Sequence, residues 1–226
     1  MSGSEGAPRE LRRLRERSRP ERAALDAVLD ATLVGTLSTV VDGRPWVVPL
    51  LVVRDGDRLL LHGSSGAGAL RHVAAGAPAA ISVVLLDGIV VADTTFDSSA
   101  NYRSAVVYGT LEPVGDPDDL RAALDRISEA ILPGRTQEVR PMTAKEVAAT
   151  QVLQLAIRQG DWLVKVRSGG PGAPAPEHPE AAPWTGVVPL FVRAGEPEPE
   201  PWCLEAPVPA SVRARVGLGE ASGSAL

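Results

Sequence analysis

A mainly β core with helices at its periphery is the fold class this sequence predicts, and three observations predict it. Short apolar runs follow one another through tight turns: Val34–Val41, Pro45–Val53 and Arg58–Leu61 are separated by Asp42-Gly43 and Asp55-Gly56. Asp-Gly between apolar runs is a strong hairpin signal. Successive hairpins leave no room for the long crossovers that parallel strands need. Helical periodicity, the second observation, is confined to the margins of this region and to a block after residue 116. Third, strands and helices do not alternate as they would in a β-α-β fold, which leaves a small antiparallel barrel or sandwich.

Bulk properties agree with one sizeable domain carrying appendages. The chain has 226 residues, 44% hydrophobic and 23% charged, enough to bury a core of ordinary composition. A net charge of −5 gives no overall attraction to nucleic acid. Cys203 is the sole cysteine, so no internal disulfide forms, as suits a reducing compartment. No apolar run approaches the roughly 20 residues of a membrane span. Arginines at the start are not followed by an apolar segment of the secretory kind, so the expected location is cytoplasmic.

In chain order, residues 1–19 read as a basic, unstructured leader with six arginines between Arg9 and Arg19. Ser18 and Glu21 suggest a capping box for a helix that buries Leu25, Val28 and Leu29 and ends near Ala31. The three hairpin-linked strands follow. His62-Gly-Ser-Ser-Gly-Ala-Gly68 then leads into a short helix, Ala69–Ala75, closed by Gly76. A Gly/Ser turn between a strand and a helix suits a phosphate, and equally suits any tight turn. Ala79–Leu86 is the fourth strand. Asp116 caps a helix with Pro117 at its first position, whose stripe is Leu120, Leu124, Ile127 and Ile131. Thr143 and Glu146 form a second capping box before strands Val152–Ile157 and Trp162–Val166. The core domain therefore spans 20–168. Residues 169–183 are a Pro/Gly-rich linker, 184–190 an apolar segment that docks on the domain or on a second subunit, and 191–226 a flexible tail.

The stretch Leu85–Leu111 is the most informative. Two β-branched runs, Ile89–Ala92 and Ala105–Tyr108, flank a polar segment that contains Asn101, Tyr102, Arg103 and Ser104. Such groups beside a buried strand either meet a ligand or knit a strand crossing together. Lys165, Arg140 and Arg167 either pair with acids at the rim or hold an anion. His62, His72, His178 and Cys203 show no metal-ligand spacing, and no G-x-S-x-G elbow is present.

Several motifs in one order carry a resemblance: G-R-P-W-V-V-P-L at 43–50, L-L-L-H-G-S at 59–64, L-L-D-G-I-V-V-A at 85–92, S-A-N-Y-R-S at 99–104, P-G-R at 133–135, V-R-P-M-T-A-K-E at 139–146, K-V-R-S-G at 165–169 and W-T-G-V-V-P-L at 184–190. Over residues 20–190 the chain resembles the pyridoxamine 5′-phosphate oxidase-like, FMN-binding split-barrel proteins, in the branch that includes nitroimidazole-resistance-type proteins. The resemblance implies a six-stranded antiparallel split β-barrel, a homodimer, and FMN in a groove at the subunit interface. It implies that His62, Gly63, Ser64 and Ser65 lie beside the flavin phosphate and ribityl chain, with Arg71 as the nearest basic group. Asn101, Tyr102, Arg103 and Ser104 would line the same groove, Val48, Pro49 and Leu50 would run beside the ring, and Trp184 would approach it. Two departures stand out. Ala67, Gly68 and Ala69 occupy places where relatives commonly carry a basic phosphate clamp, and Asp97 and Ser98 replace two histidines. The function implied is that of an FMN-dependent oxidoreductase acting on a small molecule. The alternative is a non-catalytic or cofactor-free binding protein of the same fold, sequestering flavin, haem or a deazaflavin or serving in specialised metabolism.

Overall fold

A computed structural model describes residues 14–64, 68–173, 183–203 and 205–221. Six strands close into a ring: β1 (Val34–Val41), β2 (Arg44–Asp55), β3 (Arg58–Ser64), β4 (Pro78–Val91), β5 (Ser99–Pro113) and β6 (Thr150–Ala156). Their order is β5-β6-β3-β2-β1-β4, closed by the β4–β5 pairing, and every pair is antiparallel. β7 (Trp162–Arg167) and β8 (Gly186–Pro189) extend the sheet from β5 and β4. The six-stranded barrel expected from the sequence is therefore present.

The hairpin turns follow local chemistry. Asp42 and Gly43 both have positive φ, 50° and 74°, as a two-residue turn matched to the strand twist requires. At the second turn the central pair is Gly56-Asp57, flanked by paired Asp55 and Arg58, and Gly56 alone of the two is left-handed.

One expectation is corrected in the central stretch. Ala79–Leu86 and Ile89–Ala92 are not two strands but the two halves of β4, because Asp87-Gly88 makes a bulge, with the register shifting between Leu86 and Gly88. A bulge admits an extra residue and bends the strand without ending it. The chain reverses instead at 92–98, where the Ser98 hydroxyl accepts from Ala92 N and donates to Thr94 O. The polar Asn101–Ser104 segment thus lies inside β5, not between strands.

Two cores hold the barrel. Inside it, Leu37, Val52, Leu59, Leu61, Ile81, Val107, Leu111, Leu153 and Leu155 meet Leu25, Val28 and Leu29 of α1 (Arg22–Asp30) and Leu70 and Val73 of α2 (Gly68–Ala74). Outside it, Leu60, Val53 and Val152 pack under Leu124 and Ile127 of α3 (Pro117–Ile131) and Val147 of α5 (Ala144–Ala149). β3 is buried on both faces where Leu59-Leu60-Leu61 run through it, and each leucine contributes about 2 kcal/mol by leaving water. Asp116 caps α3 and the Thr143–Glu146 capping box opens α5, both as read from the sequence. The capping box expected at Ser18 and Glu21 is absent: Glu21 is the N-cap and makes no side-chain cap. Ser18 instead bridges to Lys165 on β7, so the end of the leader, from Leu14, is laid against the sheet.

Past residue 190 the chain has no regular structure until a 3-10 turn at Pro201–Cys203 and α6 (Ala210–Ala221). Ser211 anchors α6 to Glu138 of α4 (Arg135–Glu138): its backbone N–H and hydroxyl both donate to that carboxylate, at 2.9 and 2.5 Å. The tail expected to be flexible thus carries one built contact.

Candidate functional site

The end of β3 is the first place that could hold a ligand. His62 pairs with Val152 of β6 and Gly63 with Gln151. His62 Nδ1 and Gln151 Oε1 are buried without any hydrogen-bond partner, one residue apart along this ladder. Alternation of side chains sets them on its two faces. An unpaired buried polar atom costs about 1–3 kcal/mol, so each marks a point where a bound group could complete the site. A Cβ at Gly63 would lie 2.5 Å from Leu70 Cδ1, so a larger residue there would force the Leu70 side chain of α2 to shift. Ser65 and Ala67 lie outside the described residues. Arg71 is exposed on α2, and His72 on the same helix places Nε2 3.0 Å from Val40 O, beside the Trp46 ring. The His178 position lies outside the described residues, and the Cys203 thiol donates to Glu200 O at 3.3 Å. No cluster of metal-ligating side chains exists among the described residues, and no described helix is long and apolar enough to cross a membrane.

On β2, Val48 and Leu50 are half-buried, while Pro49 points outward and is exposed. Trp184 is 66% exposed, and the segment that carries it docks through its backbone, with β8 pairing to residues 88–91 of β4.

The beginning of β5 is the second place, and here most of the polar groups are engaged within the chain. Arg103 donates to both carboxylate oxygens of Asp87, at 2.7 to 3.2 Å. That pairing holds the guanidinium above its ordinary pKa despite partial burial. Asn101 is buried; its amide donates to Gly169 O at 3.0 Å and its carbonyl accepts from Arg167 at 2.7 Å. Ser104 donates to Lys165 O at 3.4 Å. Asn101, Arg103 and Ser104 therefore knit β4, β5 and β7 together.

Tyr102 differs. Burial alone would push its phenol up, but hydrogen bonds from Lys165 and Arg17, with the charges behind them, bring it below the usual tyrosine value. Lys165 Nζ also stands 5.7 Å from the ring centroid. Of the three cations the sequence left open, Arg140 pairs with Glu146 and Arg167 bonds to Asn101, whereas Lys165 has no carboxylate partner among the described residues. The sequence shows Arg17 as one of the leader arginines and Asp87 as part of an Asp-Gly pair, but not their partners, which are distant in the chain.

The two places lie apart. Val114 N donates to Val152 O, which fixes the end of β5 beside His62, whereas Ser104 precedes that point by about ten residues, roughly 30 Å of extended strand. Within one chain the His62 and Asn101–Ser104 segments are at opposite ends of β5.

Comparison with known proteins places these features in context. The family model described as pyridoxamine 5′-phosphate oxidase matches residues 21–161. No curated protein matches the chain. Among solved structures, the FAD and haem binding protein from Mycobacterium smegmatis is 43% identical, with a TM-score of 0.85, over 88% of this chain and 97% of that one. The flavocytochrome Anf3 from Azotobacter vinelandii is 30% identical, with a TM-score of 0.82, over 91% and 94%. A candidate 5-nitroimidazole antibiotic resistance protein from Bacteroides thetaiotaomicron shares the fold at 20% identity, with a TM-score of 0.55 over 66% and 86%.

Proposed function

The chain belongs to the pyridoxamine 5′-phosphate oxidase family, and from that premise we propose that it is a homodimeric split-barrel protein that binds flavin and haem and serves as an oxidoreductase for a small molecule. The observation that carries this reading is the 43% identity, across nearly the whole of both chains, to a protein named for binding FAD and haem. FMN is the flavin that the sequence resemblance implies; the relatives favour the dinucleotide FAD as the form bound here.

The residues present fit both groups. A flat apolar ring suits the half-buried inner positions Val48 and Leu50, with Trp46 beside α2. Haem iron is held by one ring nitrogen of an imidazole, the other usually donating to a neighbour. Among the described histidines His72 has Nε2 engaged with Val40 O, while His62 has a buried Nδ1 without a partner, so His62 would hold the iron. Bound flavin supplies hydride and one-electron chemistry, and haem supplies one-electron or dioxygen chemistry. The chain's own part is to orient these groups and keep water from them.

A dimer is supported by the outward face of the sheet. Val34, Val40, Val47, Leu51, Val84 and Leu86 are exposed on β1, β2 and β4, and strand register sets them on one side. An apolar sheet face of this extent suits burial against a second copy. Pairing two copies through it could set the β3 end of one near the β5 start of the other, joining the two segments that a single chain holds apart.

The test is the absorbance spectrum of the purified protein supplied with FAD and haemin. Retained flavin bands together with a Soret band support the reading, and a protein that retains neither group overturns it. His62→Ala should abolish or shift the Soret band while leaving the flavin bands; an unchanged Soret band would contradict the assignment of His62.

A further inference from the structure

We propose that Arg17, Tyr102 and Lys165 form a seat for a phosphate group of the bound flavin nucleotide, on the outward face of the sheet. The proposal rests on the flavin reading above; Tyr102 and Lys165 lie in motifs that carry the resemblance, and Arg17 lies outside them. Ser18 bridges to Lys165 and Arg19 N donates to Val164 O at 3.2 Å, so the chain segment bearing Arg17 is fixed along β7. Tyr102 pairs with Leu86 on one side and Arg167 on the other, while Ser104 pairs with Val84 and Lys165. Directly paired residues share a face, so Tyr102, Lys165 and Arg167 stand on the same side as the exposed apolar residues Val84 and Leu86.

Among the described residues the charges at this point have little acidic compensation. Lys165 has no ion pair among the described residues, and the carboxylate nearest Arg17 is that of exposed Glu16, at 4.0 Å. Arg167, across the ladder from Tyr102, donates to the neutral amide of Asn101. Two cations, Arg17 and Lys165, meet at Tyr102 on a chain of net charge −5, while most other arginines of the barrel pair with acids. The phenol is held by its cationic neighbours in the way that favours a negative oxygen. An ammonium, a guanidinium fork and a phenolic hydroxyl together match the oxygens of a phosphate. This seat also answers a question the sequence poses, since the usual clamp positions after the β3 turn hold Ala67, Gly68 and Ala69. The apolar residues beside it would lie against the less polar parts of the ligand or the second copy.

The test uses the full chain with Lys165→Gln, Arg17→Gln and Lys165→Arg, and measures affinity for FAD, FMN, riboflavin and inorganic phosphate. Loss of a charged hydrogen bond predicts FAD binding about ten- to a hundredfold weaker in each Gln variant. Riboflavin, which has no phosphate, should bind unchanged, and Lys165→Arg should retain most of the affinity. If FMN weakens together with FAD, the seat holds the phosphate next to the ribityl chain; if FAD alone weakens, it holds the adenylate side. Wild-type FAD affinity in both Gln variants overturns the proposal, as does an effect confined to dimerisation, which would give the cluster to the contact between copies. Should the wild type bind no flavin, the functional reading fails by itself. Inorganic phosphate then decides the seat: it should raise the ionisation pH of the Tyr102 phenol in the wild type and not in Lys165→Gln, and no phosphate-dependent change would overturn the seat as well.

Discussion

Arg103 shows how a residue whose sequence leaves two roles open is committed to one partner by the assembled strands. Adjacent to Tyr102 in a polar motif, it looks like a phosphate ligand, yet its guanidinium is taken by Asp87, on the neighbouring strand β4. Asn101 is likewise satisfied by Arg167 and Gly169, more than sixty residues further on. The sequence could show that these polar groups need partners but not whether a ligand or a distant strand supplies them. Arg103→Ala should therefore act on stability, lowering it by about 1 kcal/mol for a partly exposed pair, as read from denaturant unfolding. Flavin affinity in that variant should stay near the wild-type value, and a selective loss of affinity would return Arg103 to the binding groove. Lys165 is the converse case. Its lack of an acidic partner among the described residues, visible only once the strands are assembled, is what marks it.

At the scale of elements, features set within a few residues were legible and features set across the chain were not. The Asp42-Gly43 turn, the Asp116 cap and the Thr143–Glu146 box are local chemistry, and each stands where the spacing puts it. The Asp87-Gly88 bulge has the composition of a turn, and only the continuous pairing of β4 with β5 shows that the strand passes through it. The anchoring of α6 joins residues 73 apart in the chain. Hydrogen bonds from the Ser211 hydroxyl and backbone, with Arg135 adding to them, hold the Glu138 carboxyl below its ordinary value of 4.5. A depressed carboxylate contributes its stabilisation above that value and loses it as pH falls through the folded-state pKa. Acidification below about 4.5 should thus release α6 before the barrel unfolds, seen as early loss of amide protection at 210–217, and Ser211→Ala should weaken this acid dependence by removing the hydroxyl bond while the backbone bond remains. The outer core offers a second test: Leu60, fully buried between β3 and α3, should cost about 2–5 kcal/mol on change to Ala, measured by chemical denaturation.

Over the whole molecule, the class of fold could be read from hairpin signals, because antiparallel neighbours in sequence are neighbours in space, whereas the six-strand count came from the family resemblance. The pairing of β4 with β5 that closes the ring follows from the same rule, once the chain reversal is set at 92–98. What sequence could not reveal is the outward apolar face, since alternating Val and Leu look the same whether they point into a core or away from it. Val84 and Leu86, 69% and 52% exposed, are the residues on which the proposed pairing of two copies depends. Val84→Glu together with Leu86→Glu should give monomers in sedimentation and weaken flavin binding with them, and a variant that stays dimeric would place the contact on another face. The most direct single measurement is the native mass of the protein as isolated, with its released small molecules identified. The account predicts two chains carrying FAD and haem. A single chain with no bound group, unchanged after both cofactors are supplied, would contradict it.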